Sequence, residues 1–262
     1  MGLTEINAAF AKAKAEGRPA LMPYWSLGYP DAETSLRVIE AIVKAGADMI
    51  ELGVPFSDPI ADGPVNQRAN QIALDHGITV NRCIDIATRI RADGVTVPLF
   101  AMGYTNPMLA HGEARYAEDW HRAKIDGLIV PDLPPEESEG LKRECDARGM
   151  GLIQFVAPTS TDERIRLAAF HATGFIYVVS VAGVTGPRTE LAAGLREYVE
   201  RVKALANGKP VVVGFGISNR DQVREVGQFA DGVIVASALI RAAGDAPDPA
   251  QTAYEFVKSL HS

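Results

Sequence analysis

Cysteine is scarce in this chain. The 262 residues hold two, Cys83 and Cys145, far apart and set in polar stretches of helical character. That usage excludes a disulfide-stapled secreted scaffold and fits a reducing compartment. No apolar run approaches the roughly 18–20 residues a membrane helix needs. The opening MGLTEINAAFAKAKAEGRPAL carries acids where a signal peptide would carry an apolar core. The expectation is a soluble, cytoplasmic protein that does not act at a membrane. Basic charge is also short: 26 Lys and Arg stand against 33 Asp and Glu, a net of −7. Such a balance argues against a nucleic-acid partner held by phosphate electrostatics. No HExxH, paired CxxC or His–carboxylate ligand spacing occurs, and none of the five histidines ends a candidate strand. A catalytic metal is therefore not expected. No lysine ends a candidate strand either, which counts against Schiff-base chemistry, and GxSxG is absent.

What the chain does have is alternation between short apolar runs and helical patterns. Residues 3–15 form an amphipathic opening helix, with Leu3, Ile6 and Phe10 at helical spacing. Eight candidate strands follow, at 20–25, 48–52, 96–102, 127–130, 151–156, 174–179, 210–214 and 232–235. They are short, rich in Val and Ile, and entered through Gly, Asp or Pro. Continuous apolar runs of this kind suit parallel strands covered on both faces. Most lead into a helical stretch, as at Leu36, Ile39 and Val43, which lie between the Asp31 start signal and Gly46. Eight units of roughly 30 residues match a βαβ repeat, and no linker or low-complexity segment divides residues 1–262. The pattern predicts one α/β domain, a single (β/α)8 TIM barrel with an extra N-terminal helix. The alternative, an open doubly wound sheet, more often stops at five or six strands.

In such a barrel, chemistry gathers where strands end and the following loops begin. The second strand ends in Glu51 and runs into ELGVPFSDPIADGP at 51–64, about 15 residues before the next helical pattern. A βα loop is usually two to six residues, so this length marks a functional segment. Glu51 equally suits a strand-end carboxylate paired with a buried Lys or Arg. Asp58 and Asp62 equally suit turn residues that bond backbone. Taken together, the acids offer a proton donor and a proton acceptor at one strand end. Late in the chain, SVAGVTGPRTEL at 180–191, GFGIS at 214–218 and VASALI at 235–240 supply glycines and a short helix start at Ser237. Loops of this kind on adjacent late strands form the usual phosphate cradle of these barrels.

At the same residues the sequence resembles the tryptophan synthase α-subunit family. ELGVPFSDPIADGP is close to the family's catalytic-loop signature. NPM at 106–108, PDLPPEE at 131–137, VAPTSTDERI at 156–165, SVAGVTGPRTEL and VGFGIS follow in family order across the whole chain. The resemblance implies retro-aldol cleavage of indole-3-glycerol phosphate to indole and glyceraldehyde 3-phosphate. It implies Glu51 and Asp62 as catalytic carboxylates, with Thr185 orienting the second acid. It places the substrate phosphate at Gly186, Gly216, Ala236 and Ser237, and the indole against Tyr24, Tyr104, Ile129 and Tyr177. It further implies a pyridoxal-phosphate β subunit in an α2β2 heterotetramer, contacted through loop segments 55–60 and 105–109, with no cofactor in this chain.

The chain departs from the family pattern at Tyr24–Gly28 and at Ala236, and also at Val181-Ala182, where members differ among themselves. Tyr24-Trp25-Ser26-Leu27-Gly28 replaces a Phe-x-Thr-Ala-Gly run, bringing a bulkier Trp25, and Ala236 replaces a usual glycine. Three other readings remain at this level: a different phosphosugar isomerase or epimerase, a regulatory partner with little turnover, and a free-standing lyase.

Overall fold

The computed structural model describes residues 2–179, 194–214 and 216–261. Eight parallel strands close into a barrel in sequence order: β1 (Ala20–Ser26), β2 (Ile50–Gly53), β3 (Leu99–Met102), β4 (Gly127–Ile129), β5 (Gly151–Val156), β6 (Ile176–Val179), β7 (Val211–Gly214) and β8 (Gly232–Val235). Every adjacent pair is hydrogen-bonded, and β1 meets β8 through Ala20–Gly232 and Leu21–Val233. The open-sheet alternative is thereby excluded. Strand residues are almost all buried on both faces, as their unalternating apolar runs require.

Several strands begin later than the sequence pattern predicts. The stretch 96–102 enters the ladder only at Leu99, because Pro98 has no N–H to contribute. The stretch 48–52 enters at Ile50, because Asp48 N and Met49 N both turn to the Leu21 carbonyl, at 3.0 and 3.4 Å, ahead of the regular register. Helix starts are sharper. Asp31 caps the helix Ala32–Lys44 by accepting from Thr34 N, and the buried face of that helix holds Leu36, Ile39 and Ile42.

The opening helix Leu3–Ala15 seals the amino-terminal floor of the barrel. Ile6 and Phe10 are buried, and the Phe10 ring meets Phe175 edge-on at 5.9 Å. Gly2 N donates to Asp126 at 2.6 Å and Leu3 N to the Gly149 carbonyl at 2.9 Å, which fixes the helix start under the strands. Both cysteines are buried and free. Burial pushes the Cys145 thiol up to about 12 and that of Cys83 higher, so neither is a nucleophile at neutral pH. Among the described residues no helix is long and apolar enough to cross a membrane.

Candidate active site

The carboxy-terminal mouth of the barrel holds a cavity of about 420 Å³, within the range of small-molecule sites. Glu51 enters it from β2, opposite Tyr24 in the β1–β2 register. Tyr24 and Tyr177 line it from β1 and β6, and each lies over a glycine at the end of the neighbouring strand. A side-chain carbon at Gly53 would stand 2.1 Å from the Tyr24 hydroxyl, and one at Gly214 would stand 2.2 Å from that of Tyr177. Bare backbone at these two positions makes room for the rings. Phe155 stacks on Tyr177 with centroids 4.6 Å apart and, with Met102, gives the cavity its apolar wall.

The loop after β2 spans 54–63, shorter than the sequence suggests, because Pro64 opens the helix Pro64–Asp75 directly. The loop folds back so that Asp62 faces Glu51 across the cavity. Asp62 is not held by backbone donors, as a turn aspartate would be. Tyr104 donates to Oδ2 at 2.9 Å, Asn66 to Oδ1 at 3.1 Å, and Asn70 more distantly to Oδ2 at 3.4 Å. Tyr104 also accepts from Ala61 N at 3.2 Å and packs on Phe56, which pins the loop to the end of β3. Ser26 donates to the Asn70 oxygen at 2.8 Å, tying the network to β1. Asp58, by contrast, is exposed and bonds its neighbour Ser57.

The two acids meet different fields. Glu51 is 2% exposed, and Oε2 has no hydrogen-bond partner among the described residues. Among the described residues no Lys or Arg pairs with Glu51. Burial, with the Asp62 carboxylate nearby, pushes its pKa up to about 8. Asp62 is also raised by burial, but its three side-chain donors oppose the shift. Its acid form is thus less favoured than that of Glu51, and one site offers a proton donor beside an acceptor.

On the far side, Gly216, Ala236 and Ser237 line the same cavity. Gly216 has φ +77°, a conformation suited to glycine. Ala236 has φ −114° and leads into the short helix Ser237–Ala243, so the alanine in place of glycine carries no left-handed strain. Trp25 leaves the cavity untouched. It follows Tyr24 on the strand, faces out of the barrel, and gives Nε1 to the Tyr29 carbonyl at 2.9 Å.

The structure therefore brings Glu51, Asp62, Tyr24, Tyr177, Gly216, Ala236 and Ser237 to one cavity. Tyr104 acts behind the wall on Asp62, and Ile129 is fully buried in β4 without lining the cavity. Thr185 and Gly186 lie outside the described residues. Sequence reasoning missed Asn66, Asn70, Met102 and Phe155. The asparagines could have been found: 62, 66 and 70 repeat at the four-residue spacing of one helix face. Among the described residues no cluster of three or more metal-ligating side chains occurs.

A closed barrel whose mouth holds a buried carboxylate pair in a cavity with an apolar wall defines a class: acid–base enzymes acting on small substrates. The comparisons narrow it. The family model described as tryptophan synthase alpha chain matches residues 10–261. A tryptophan synthase alpha chain of Roseiflexus sp. (strain RS-1) is 49% identical over 260 residues, spanning 98% of this chain and 99% of that one. The tryptophan synthase of Saccharomyces cerevisiae is 40% identical over 258 residues, spanning 98% of this chain but 36% of the yeast protein. The crystal structure of the Legionella pneumophila tryptophan synthase alpha chain superposes with a TM-score of 0.88 at 35% identity, covering 98% and 95% of the two chains. The chain belongs to the tryptophan synthase alpha chain family, a lyase that cleaves indole-3-glycerol phosphate.

Proposed function

We propose that Glu51 and Asp62 carry the cleavage, with Glu51 as the proton shuttle. At neutral pH Glu51 is held largely protonated and can deliver its proton to carbon 3 of the indole. Protonation there turns the ring into a cationic indolenine; Asp62 accepts a hydrogen bond from its N–H and stabilises its charge. Glu51, now ionised, takes the proton of the adjacent glycerol hydroxyl. The carbon–carbon bond then breaks, its electron pair restores the aromatic ring, and the hydroxyl carbon becomes the aldehyde of glyceraldehyde 3-phosphate. One proton leaves Glu51 and one returns, so the enzyme emerges unchanged.

The indole ring is placed against Tyr24, Tyr177, Phe155 and Met102. Tyr104 aims Asp62, and Ile129 supports the wall from behind. The phosphate is assigned to backbone N–H groups of Gly216, Ala236 and Ser237, completed by Gly186, with Thr185 orienting Asp62. The observation that carries this reading is the buried Glu51 beside a second carboxylate with no described cation to neutralise either.

A β subunit holding pyridoxal phosphate is the proposed recipient of the indole, in an α2β2 assembly in the cytoplasm. Of the large apolar side chains exposed among the described residues, Ile60 at 80% and Leu109 at 58% fall in the two segments expected to contact it. The second segment is helical rather than a loop, within Thr105–His111. The yeast relative, of which the match covers about a third, is consistent with an alpha unit joined to a larger whole.

The test is indole release from indole-3-glycerol phosphate, with and without a cognate β subunit. Asp62→Asn is expected to bind substrate and lose roughly 10²–10³ in turnover, the usual cost of one electrostatic stabiliser. Near-native turnover would overturn the assignment. A rate that rises on adding β subunit supports closure of the mouth by the partner; high activity alone with a flat response points to a free-standing lyase.

A further inference from the structure

The face of the helix Pro64–Asp75 turned toward the cavity carries one polar group more than the carboxylate pair requires. Asn66 is 8% exposed, lines the cavity, and stands in the first turn of the helix, four residues after the loop residue Asp62. Its amide has two unlike ends. A carboxylate accepts and does not donate, so the nitrogen must face Asp62, as the 3.1 Å contact shows. The oxygen is then turned away from Asp62, and it finds no partner among the described residues. A buried amide oxygen left unpaired carries a desolvation cost that nothing within the described protein offsets. The side that remains for a partner is the cavity itself.

We propose that Asn66 is a substrate-recognition residue: Oδ1 accepts a hydrogen bond from a donor on bound indole-3-glycerol phosphate while Nδ2 holds Asp62. The substrate carries two kinds of donor, the ring N–H and the glycerol hydroxyls, and either satisfies the same acceptor. The inference rests on the assignment of this cavity to the substrate. It adds a direct contact beside the proton chemistry and makes Asn66 a joint between binding and the aim of Asp62.

Three probes separate the possibilities, each titrated into the intact wild-type chain and into Asn66→Leu, which keeps the side-chain size and removes both polar atoms. Indole-3-propyl phosphate offers only the ring N–H. The glycerol phosphate of 1-benzothiophene offers only hydroxyls, and its propyl phosphate offers neither. The expected result is a loss of about tenfold for the probe whose donor Asn66 reads, with the donor-free probe unchanged within twofold. Which donor-bearing probe suffers the loss identifies the donor. Equal losses for all three, or none, would overturn the proposal, and Asn66→Ala repeats the comparison should the Leu variant fold poorly.

Asn66 could act only by holding Asp62, so the substitution is repeated in an Asp62→Ala background. A selective loss that persists there supports direct recognition. One that vanishes overturns it and leaves a positioning residue. Failure of the wild-type chain to bind any probe would instead strike the substrate-site assignment.

Discussion

The two ends of the barrel use buried carboxylates in opposite ways. On the floor, Asp126 is satisfied from several sides: Gly2 N at 2.6 Å, Leu99 N at 2.9 Å and the guanidinium of Arg91. Asp48 is served likewise by Arg18 at 2.5 and 2.8 Å and by Leu21 N at 2.8 Å. At the mouth, Glu51 is equally buried and has neither a described cation nor a partner for Oε2. A buried charge with a full set of partners fixes structure. Burial raises both Asp126 and Glu51, but backbone donors and Arg91 oppose the shift at Asp126, while nothing opposes it at Glu51, which keeps its proton to about 8. The position of a carboxylate along the barrel axis therefore tells more about its work than its burial does.

The contrast is tested hardest at Glu51, where activity and stability should move in opposite directions. Glu51→Gln is expected to lose roughly 10²–10⁴ in turnover, the worth of general acid–base catalysis. Its effect on stability depends on pH. The folded protein holds this group protonated to about 8, against 4.5 for an ordinary glutamate. Between those values the unfolded chain ionises while the folded chain does not. The folded state then binds more protons, and stability falls as pH rises. The contribution is whole below about 4.5 and spent above about 8. Glu51→Gln should flatten that slope and be the more stable protein at alkaline pH. Urea unfolding near pH 5 and near pH 8.5 reads it; parallel behaviour of the two proteins would break the comparison.

On the floor the signs reverse. Asp126→Ala strips Arg91, whose side chain is 3% exposed, of its counter-charge. Breaking such a pair costs about 3–5 kcal/mol in unfolding experiments, while turnover well below the melting temperature should hold. A loss below about 1 kcal/mol would show that the floor pair is not structural.

The smallest effect belongs to the phosphate side of the mouth. If backbone N–H groups hold the phosphate, Ala236→Gly should leave glyceraldehyde 3-phosphate affinity within a few-fold, since φ is already negative. Ala236→Asp should abolish binding by opposing the anion with a carboxylate. Tight product binding by that variant would place the phosphate elsewhere.

Much of the barrel was legible in the chain. Eight short Val- and Ile-rich runs, punctuated by Gly, Asp and Pro, correspond one for one to β1–β8. Ends were less legible, because a ladder begins where a neighbour offers a partner, as Pro98 and Asp48 illustrate. At the mouth, Glu51 and Asp62 announced themselves by lying at a strand end in a long proline-bearing loop. Asn66 and Asn70 were signalled only by standing four and eight residues after Asp62, since asparagine is ordinarily a surface residue and only the fold turns this helix face inward. Trp25, bulkier than the family pattern has at that place, is sent out of the barrel by strand alternation.

Sequence by itself determined the repeat, the strand ends at which acids and glycines lie, and the loop whose length sets it apart. These are local properties, written in apolar runs and turn residues a few positions long. Tertiary structure alone decided that no described cation reaches Glu51, that Asp62 is aimed by Tyr104 and two asparagines, and that Asn66 faces the cavity with an open acceptor. Protonation depends on what stands across the barrel from a side chain, and that is fixed only when strands distant in sequence close the ring.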